Sequence, residues 1–275
     1  EKLVFELKNH AQPMGISLHT VGDSIFNGAY HCSRWESSHH LDTEQREALR
    51  SIAAGFNADL CFLKADLISA DMRVLAMDMD STLINIECID EIADMMNIKP
   101  QVAEITESAM RGEIEFKESL TRRVALLNGL DESGLQRVID ERLKLNPGAQ
   151  VWIDACKANG VKTLLVSGGF EFFANHVKAK LGLDYAESNT LEIIDGKLTG
   201  KVLGEIVDGQ AKADYLVQKR DELGLTPDQV IAIGDGANDL TMMRAAVAGI
   251  AYHAKPIVQA QASYALNHEI GRAHV

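Results

Sequence analysis

The chain has 275 residues, of which 46% are hydrophobic and 24% are charged, and its formal net charge is −13. This composition is typical of a soluble globular protein with one large or two modest domains. The negative charge disfavours nucleic acids and anionic membranes as partners. The sequence contains no run of about eighteen apolar residues, so we expect no transmembrane helix.

The amino-terminal stretch and the cysteines predict a cytoplasmic location. The first residues, EKLVFELKNH, lack the basic and apolar segments of a signal peptide. The cysteines lie far apart without the spacing of a metal site, so we expect reduced thiols. They are Cys32, Cys61, Cys88 and Cys156.

Residues 1–72 predict a small α/β domain. The segments LVFEL and DLCFLKADL have strand-like composition. Between them, DTEQREALRSIAAGF predicts a helix, and Asp42 has capping-box spacing to the glutamine three residues further on. No set of catalytic residues is apparent in this domain.

Beyond Arg73, four apolar runs predict buried parallel strands that are separated by helical segments. The runs are VLAMD (74–78), TLLVS (163–167), VIAIGD (230–235) and GIAY (249–252). This order is typical of a doubly wound α/β sheet. Ligands bind such sheets at the carboxyl ends of the strands. We therefore expect the polar turns after the first three runs to converge on one crevice.

The two long gaps between these runs predict further elements. Residues 85–146 contain several amphipathic stretches and are too many for one crossover helix, so they predict a helical insertion that could serve as a lid. The breaks between its helices fall near Pro100, Gly112, Gly129 and Pro147. In the second gap, Asp195-Gly196 predicts a hairpin, and a helix ended by Gly224 follows.

Several charged and polar residues at the predicted crevice indicate phosphoryl transfer. Asp78 and Asp80 lie close enough to repel each other unless a cation or a shared proton compensates. The simpler interpretation of this pair is a solvated turn at the end of a strand. Asp235 ends another strand, and carboxylates from separate strands suit Mg²⁺. Lys212, otherwise an ordinary exposed lysine, and Ser167 with its glycine amides would hold a phosphate. The set fits an aspartyl-phosphate mechanism.

The same segments resemble the haloacid dehalogenase superfamily phosphatases. DMDST (78–82) is similar to their Asp-x-Asp-x-Thr/Val signature. VSGG (166–169), Lys212 and GDGANDLTMM (234–243) are similar to the remaining motifs, in the same order and spacing. The resemblance narrows to the phosphoserine phosphatase family through three longer segments: DMDSTLINIECIDEIA, AMRGEIEFKESLTRRV and AYHAKP.

This resemblance spans about residues 73–265 and implies a fold and an activity. The fold would be a Rossmann-like core at residues 73–84 and 147–275 with a four-helix cap at residues 85–146. The activity would be Mg²⁺-dependent hydrolysis of L-phosphoserine, a small-molecule substrate, in the last step of serine synthesis.

The resemblance also implies a role for each matching residue. Asp78 would be the nucleophile and Asp80 the general acid and base. The metal ligands would be Asp78, the backbone carbonyl of Asp80, and Asp235. The phosphate would be bound by Ser167, Gly168, Lys212 and Asn238, with Asp239 supporting the metal and the lysine. Glu87 would bind the ammonium of the serine moiety and Arg123 its carboxylate, and Met110 and Phe116 would form an apolar wall around it.

Without the resemblance, both charged residues have simpler explanations. An acidic residue at a helix start interacts favourably with the helix dipole, which explains Glu87 better, and a solvated helix face explains Arg123 better.

Some alternatives stay open. Residues 1–72 resemble, more weakly, the ACT-like domain of longer bacterial members, so they could bind an amino acid or mediate a homodimer. The chain could instead be a related phosphatase or phosphotransferase for another small phosphorylated amino acid, or a serine-sensing regulatory protein. The tail ALNHEIGRAHV ends where the family usually continues with a strand and a helix, and we expect it to be a loose end.

Overall fold

The computed structural model describes residues 2–26, 31–37, 39–63, 67 and 71–267. The chain divides into two compact units, Glu1–Ile68 and Ser69–Val275. In the first unit, helices α1 (Lys2–Ala11) and α2 (Thr43–Ala54) accompany an antiparallel pair of strands, β1 (Leu18–Phe26) and β2 (His31–Ser37). The predicted α/β class of this unit is therefore confirmed.

Helix α2 begins as predicted, whereas both predicted strands of the first unit are wrong. Asp42 accepts a hydrogen bond from the Gln45 backbone N–H, and the Gln45 side chain accepts one from the Asp42 N–H. LVFEL lies inside α1, because Leu3, Leu7 and Ala11 repeat every four residues and pack on one core. The described part of DLCFLKADL contains no strand, and β1 and β2 were not predicted.

The second unit contains a seven-stranded sheet, and the four predicted core strands are confirmed. Its strand order is β6-β5-β4-β3-β7-β8-β9, with only β5 and β6 antiparallel. The strands are β3 (Val74–Met77), β4 (Lys162–Phe170), β5 (Tyr185–Ile194), β6 (Lys197–Leu203), β7 (Val230–Gly234), β8 (Ala248–Tyr252) and β9 (Tyr264–Leu266). The β5–β6 pair is the hairpin predicted at Asp195-Gly196. The short edge strand β9 was not predicted, and residues 268–275 of the tail lie outside the described part of the chain.

Helices cover the sheet and form the predicted insertion. Four helices lie between β3 and the rest of the core: α3 (Cys88–Met95), α4 (Lys99–Met110), α5 (Phe116–Ala125) and α6 (Ser133–Glu141). The core helices are α7 (Ala149–Ala158), α8 (Glu171–Leu181), α9 (Gly209–Glu222), α10 (Leu240–Arg244) and α11 (Pro256–Gln259). The sheet interior is closely packed, with Ala76, Val166 and Ala232 fully buried. Within the described residues, no helix combines the length and the apolarity that crossing a membrane requires.

The two chain segments that enter and leave the insertion run side by side. The Asn85 N–H donates to the Lys144 carbonyl at 3.0 Å, and the Asn146 N–H donates to the Leu83 carbonyl at 2.9 Å. The Asn146 side chain adds a 2.8 Å hydrogen bond to the Thr82 carbonyl. These bonds anchor the insertion next to the loop that follows β3.

The insertion also attaches to the β5–β6 hairpin. The loop between α5 and α6 donates from Gly129 N–H to the Leu198 carbonyl, and Leu198 N–H donates to the Leu130 carbonyl, both at 2.8 Å. Gly200 lies so close to α5 that an added Cβ would be 3.0 Å from the Ala125 carbonyl oxygen. The insertion is thus held to the core at two separated places.

Candidate active site

The polar turns after β3, β4 and β7 meet at one edge of the sheet, as the sequence predicts. Asp78 follows β3 directly, and its backbone N–H donates to the Ile233 carbonyl of β7 at 3.0 Å. An added Cβ on Gly169 of β4 would lie 3.3 Å from Asp80 Oδ2. The carboxyl ends of these neighbouring parallel strands therefore form one crevice.

A buried lysine lies between two carboxylates in this crevice. Lys212 Nζ is 2.7 Å from Asp78 Oδ1 and 2.7 Å from Asp239 Oδ1, and the lysine side chain is fully buried. The contact with Asp239 is a hydrogen bond, whereas Asp78 Oδ1 has no partner in hydrogen-bond geometry. The Asp78 contact is a buried ion pair, since the two charged groups are 2.7 Å apart. Lys212 therefore holds Asp78 and Asp239 next to each other in the crevice.

Lys212 is positioned by the first turn of α9. The helix begins after Asp208, whose side chain accepts a 2.9 Å hydrogen bond from the Ala211 N–H. This cap satisfies one of the free N–H groups at the helix start. The cap fixes the turn that carries Lys212.

Three carboxylates form a cluster that could hold a metal ion. One oxygen each from Asp78, Asp235 and Asp239 lies within 4.8 Å of the others. Both Asp239 oxygens are already used, one by Lys212 and the other by the Gly236 N–H at 3.0 Å. Asp235 uses one oxygen, Oδ1, which accepts from Thr82 Oγ1 at 3.2 Å. The arrangement leaves Asp78 and Asp235 freer to bind a metal than Asp239.

Burial and mutual repulsion raise the pKa values of Asp78, Asp80 and Asp235, hereafter the active-site carboxyls. Burial and the charge of Asp239 raise the pKa of Asp78 to about 8 against the opposing effect of Lys212. Burial and the neighbouring Asp78 raise the pKa of Asp235 to about 8. Burial and Glu87 raise the pKa of Asp80 to about 7, although hydrogen bonds from Cys88 oppose this.

These charges fit a divalent cation. One ammonium, that of Lys212, faces a cluster of three carboxyl groups, so negative charge is in excess when all three are ionised. Asp78 Oδ1 and Asp80 Oδ1 are buried without a hydrogen-bond partner. Hard oxygen donors with unsatisfied charge suit Mg²⁺, which is usually bound by one or two carboxylates.

The loop at the end of β4 presents groups that could bind phosphate. Ser167 is buried, and its Oγ accepts the Gly169 N–H at 2.9 Å. A serine hydroxyl that accepts this bond still has its own proton to donate. Asn238 lies at the same end of the sheet, where its backbone carbonyl would be 2.7 Å from a Cβ added to Gly209 at the start of α9. Ser167, Gly168, Lys212 and Asn238 thus surround the same crevice.

The insertion brings one acidic and one basic side chain to the crevice. Glu87 Oε1 accepts a 2.6 Å hydrogen bond from Ser81 Oγ. The Glu87 carboxylate is solvent-accessible, yet the surrounding protein atoms desolvate it enough to raise its pKa. Arg123 is half-buried, and burial lowers its pKa while Asp90 and Glu87 oppose that effect. Among the described residues, no carboxylate lies within 4.0 Å of Arg123.

The two residues of the predicted apolar wall, Phe116 and Met110, lie in different surroundings. Phe116, at the start of α5, lies against the phosphate loop, since a Cβ on Gly168 would be 3.0 Å from its Cζ. Met110, at the end of α4, is 64% exposed, and its Sδ lies 3.9 Å from Lys255 Nζ of the core. Phe116 thus borders the crevice, and the role of Met110 stays a prediction.

Three residues that form hydrogen bonds with the predicted site residues are missing from the sequence-based prediction. Thr82 donates to Asp235, Ser81 donates to Glu87, and the Cys88 N–H donates to Asp80 Oδ2 at 3.1 Å. Thr82 lies inside the DMDST motif, which is a signal that could have found it. Ser81 lies in the same motif, but its left-handed backbone, with φ +56°, is rare for a residue with a side chain, and the motif does not reveal that conformation.

Comparison with known proteins identifies the class of protein that this fold and site define. The family model for haloacid dehalogenase-like hydrolases matches residues 75–244. The chain therefore belongs to the haloacid dehalogenase-like hydrolases.

Individual relatives and solved structures identify a narrower family within this class. A phosphoserine phosphatase of Polaromonas sp. is 53% identical over 207 residues, which are 74% of this chain and 88% of the relative. An unliganded structure of a probable phosphoserine phosphatase from Vibrio cholerae has a TM-score of 0.81 and 38% identity, and covers 97% of this chain and 80% of its own. A phosphoserine phosphatase solved as a phospho-aspartyl intermediate analogue has a TM-score of 0.68 and 39% identity, over 72% of this chain and 94% of its own. Within the hydrolases, the chain is a member of the phosphoserine phosphatase family.

Proposed function

We propose that the chain hydrolyses O-phospho-L-serine to L-serine and inorganic phosphate through phosphorylation of Asp78, with Mg²⁺ as cofactor. The observation that carries this proposal is the pairing of two groups of charges in one crevice. The buried carboxylates and Lys212 lie at the strand ends, and Glu87 and Arg123 lie on the insertion beside them. The first group suits a phosphate with a metal, and the second suits an amino acid.

In the first half-reaction, an Asp78 carboxylate oxygen attacks the phosphorus and forms a new P–O bond. The ester P–O bond breaks at the same phosphorus, and the oxygen of serine leaves. Asp80 donates its proton to this oxygen, and a carboxyl whose pKa lies near 7 is suited to carry that proton at neutral pH. Lys212 and the Ser167 hydroxyl stabilise the added negative charge of the phosphoryl group.

In the second half-reaction, Asp80 acts as general base. It takes a proton from a water molecule, whose oxygen attacks the phosphorus of the aspartyl-phosphate. The bond between phosphorus and the Asp78 oxygen breaks, which releases inorganic phosphate and restores the Asp78 carboxylate. Asp80 is again protonated, as at the start of the cycle.

The metal ligands would be Asp78, Asp235 and the Asp80 backbone carbonyl, with Asp239 holding Lys212 in place. When bound, Mg²⁺ would offset the charge of carboxylate and phosphate, so that the two anions can approach each other. This assignment is supported by the unsatisfied Asp78 Oδ1 and by the full use of both Asp239 oxygens.

Specificity for phosphoserine would come from Glu87 and Arg123. The carboxylate of Glu87 would bind the substrate ammonium, and the guanidinium of Arg123 would bind the substrate carboxylate. A simple phosphate ester would leave both charges unpaired in a partly desolvated site, which costs binding energy. Phe116 would close over the serine from its place against Gly168, and Met110 would complete the wall from the end of α4.

The experiment is phosphate release from phosphoserine, phosphothreonine and sugar phosphates, with Mg²⁺ and with chelator. We expect preference for phosphoserine and loss of activity in chelator. Asp78→Asn should abolish turnover, and Asp80→Asn should slow both departure of serine and breakdown of the aspartyl-phosphate. Equal rates across the panel would contradict the roles of Glu87 and Arg123. Near wild-type turnover in Asp78→Asn would contradict its role as nucleophile.

The domain roles and the location are part of the same proposal. We propose residues 85–146 as a cap over a core of residues 73–84 and 147–275, which is supported by the paired segments at Asn85 and Asn146. Residues 1–72 would be a regulatory or homodimer-forming domain, which light scattering and amino-acid titration test. A cytoplasmic location is supported by Cys88 and Cys156, which are buried and form no disulfide.

A further inference from the structure

The phosphate loop is a bulge in strand β4. The β4–β5 ladder pairs Val166 with Glu187 and then resumes at Phe170 with Asn189. Three residues of β4, 167–169, therefore stand opposite the single residue Ser188 of β5. Such bulges break the ladder and leave backbone groups without their usual partners.

Asn189 supplies the missing hydrogen bond at this bulge. Its side-chain amide donates to the Gly168 carbonyl at 2.8 Å, and the asparagine is only 1% exposed. The Gly168 carbonyl and the Gly169 N–H belong to the same peptide group. Since the Gly169 N–H donates to Ser167 Oγ at 2.9 Å, this peptide group is held at both ends.

Fixing that peptide group also orients the Ser167 hydroxyl. Ser167 Oγ accepts the Gly169 N–H, so its own proton points away from that group and is left for another acceptor. A rotation of the Gly168–Gly169 peptide would move this acceptor bond and release the serine. Asn189 therefore holds the peptide group to which Ser167 Oγ is hydrogen-bonded.

The other end of the same side chain holds a second part of the site. Asn189 Oδ1 accepts the Val207 N–H at 2.8 Å. Val207 immediately precedes Asp208, the residue that caps α9 and so fixes the turn with Lys212. One buried amide thus joins the loop with Ser167 to the start of the helix with Lys212.

Helix α5 of the insertion contacts the same two segments. Phe116 lies against Gly168, and the neighbouring Lys117 Nζ forms an ion pair with Asp208 Oδ2 at 3.1 Å. The distance between the phosphate loop and the start of α9 must suit Phe116 and Lys117 at once. The Asn189 side chain, which is hydrogen-bonded to both segments and forms a bridge between them, would preserve that distance.

We propose that Asn189 is a positioning residue that sets the distance between Ser167 and Lys212 and so shapes the phosphate end of the site. The proposal rests on the proposed phosphatase function and adds a residue that does not itself touch the substrate. Its effect should be the same for every phosphate ester, because it acts on the phosphate and not on the serine moiety.

The test compares Asn189→Ala and Asn189→Leu with a matched control, Thr163→Val. Leucine keeps the branched shape of asparagine without its amide. Thr163 is also buried, and its Oγ1 makes two hydrogen bonds with Asp184, but it lies at the opposite end of β4. Each variant is measured by thermal unfolding, by calorimetric binding of inorganic phosphate in Mg²⁺, and by kinetics on phosphoserine and p-nitrophenyl phosphate.

We expect both Asn189 variants to lose about 10²-fold in kcat/KM, by a similar factor on the two substrates, because small displacements in a preorganised site are costly. Phosphate binding should weaken in both, while Thr163→Val should lose thermal stability but keep its kinetics and phosphate affinity. Asn189 variants that behave like Thr163→Val would overturn the proposal, and so would failure of both to fold, since Asn189 would then be a folding determinant.

The outcomes separate this inference from the proposed function. A wild-type protein that hydrolyses p-nitrophenyl phosphate but not phosphoserine would refute the substrate assignment, and the Asn189 comparison on p-nitrophenyl phosphate would still decide the inference. A wild-type protein that hydrolyses neither would refute the phosphatase function, and the loss or retention of phosphate binding in the Asn189 variants would decide the role of the bridge.

Discussion

Replacing Lys212 with methionine should be among the most destabilising single changes in the second unit. The Lys212 ammonium lies 2.7 Å from Asp78 and 2.7 Å from Asp239, and all three side chains are buried. Methionine fills the space of the lysine stem without its charge. The substitution leaves two carboxylates facing each other without their cation.

The size of the effect follows from this burial. Removing one partner of a buried ion pair typically costs about 3–5 kcal/mol, because the remaining charge is desolvated and uncompensated. Lys212 is also the main group that lowers the pKa of Asp78, so its loss should raise that pKa further above neutral and make the carboxylate form of Asp78 still harder to reach. We therefore expect a lower free energy of unfolding by about 3–5 kcal/mol in chelator, together with loss of turnover in Mg²⁺.

The assay is urea unfolding at pH 7 in chelator, followed by tryptophan fluorescence. The chain has two tryptophans, and a Trp35→Phe background makes the buried Trp152 of the second unit the sole reporter. Lys162→Met is the matched control, because Lys162 also pairs with an aspartate, Asp184, but is exposed. Surface pairs contribute little, so the control should unfold like wild type. Equal unfolding midpoints for Lys212→Met and Lys162→Met would refute the reasoning.

Three further predictions concern pH, specificity and packing. In chelator, the free energy of unfolding should fall as pH rises from about 4 to about 8, because the folded protein keeps protons on the active-site carboxyls that the unfolded chain has released; Mg²⁺ should remove most of this fall, and a rise with pH in chelator would contradict the raised pKa values. Arg123→Ala should lose about 10²-fold in kcat/KM on phosphoserine but little on p-nitrophenyl phosphate, whereas the exposed neighbour variant Arg122→Ala should change neither; equal losses on both substrates would argue against a contact with the serine carboxylate. Gly234→Ala should weaken Mg²⁺ binding in calorimetry, since its Cβ would lie 2.3 Å from Asp239 Oδ2; the control Gly134→Ala, which meets only a flexible leucine side chain, should bind Mg²⁺ as wild type does, and wild-type binding by both would contradict the packing argument.

The sequence predicts the centre of the site well because strand ends are easy to locate. Asp78 and Asp235 each follow a short apolar run, and parallel strands bring their carboxyl ends together. Lys212 lies between these two aspartates in the sequence, at the spacing of the matching family motif. The two aspartates are found from pattern and topology, and Lys212 is found once it is read together with them. In the structure Asp78 and Asp235 share one cluster with Asp239, and Lys212 Nζ lies 2.7 Å from Asp78 and from Asp239.

The parts that were missed depend on contacts between distant segments. Asn189 is one polar residue in a strand, and nothing in its neighbourhood shows that a bulge 21 residues earlier needs its amide. The composition of LVFEL favours a strand, but Leu3 and Leu7 pack at a helical spacing on a core that forms only in three dimensions. Met110 shows the converse, since an apolar residue in a matching motif is exposed in this structure.

The most direct test of the central claim is mass spectrometry of acid-quenched turnover mixtures with phosphoserine and Mg²⁺. The account predicts a phosphoryl group on the peptide that contains Asp78, located on that residue, and no such adduct in Asp78→Asn. A phosphoryl group on a different residue, or unimpaired hydrolysis after exhaustive chelation, would contradict it.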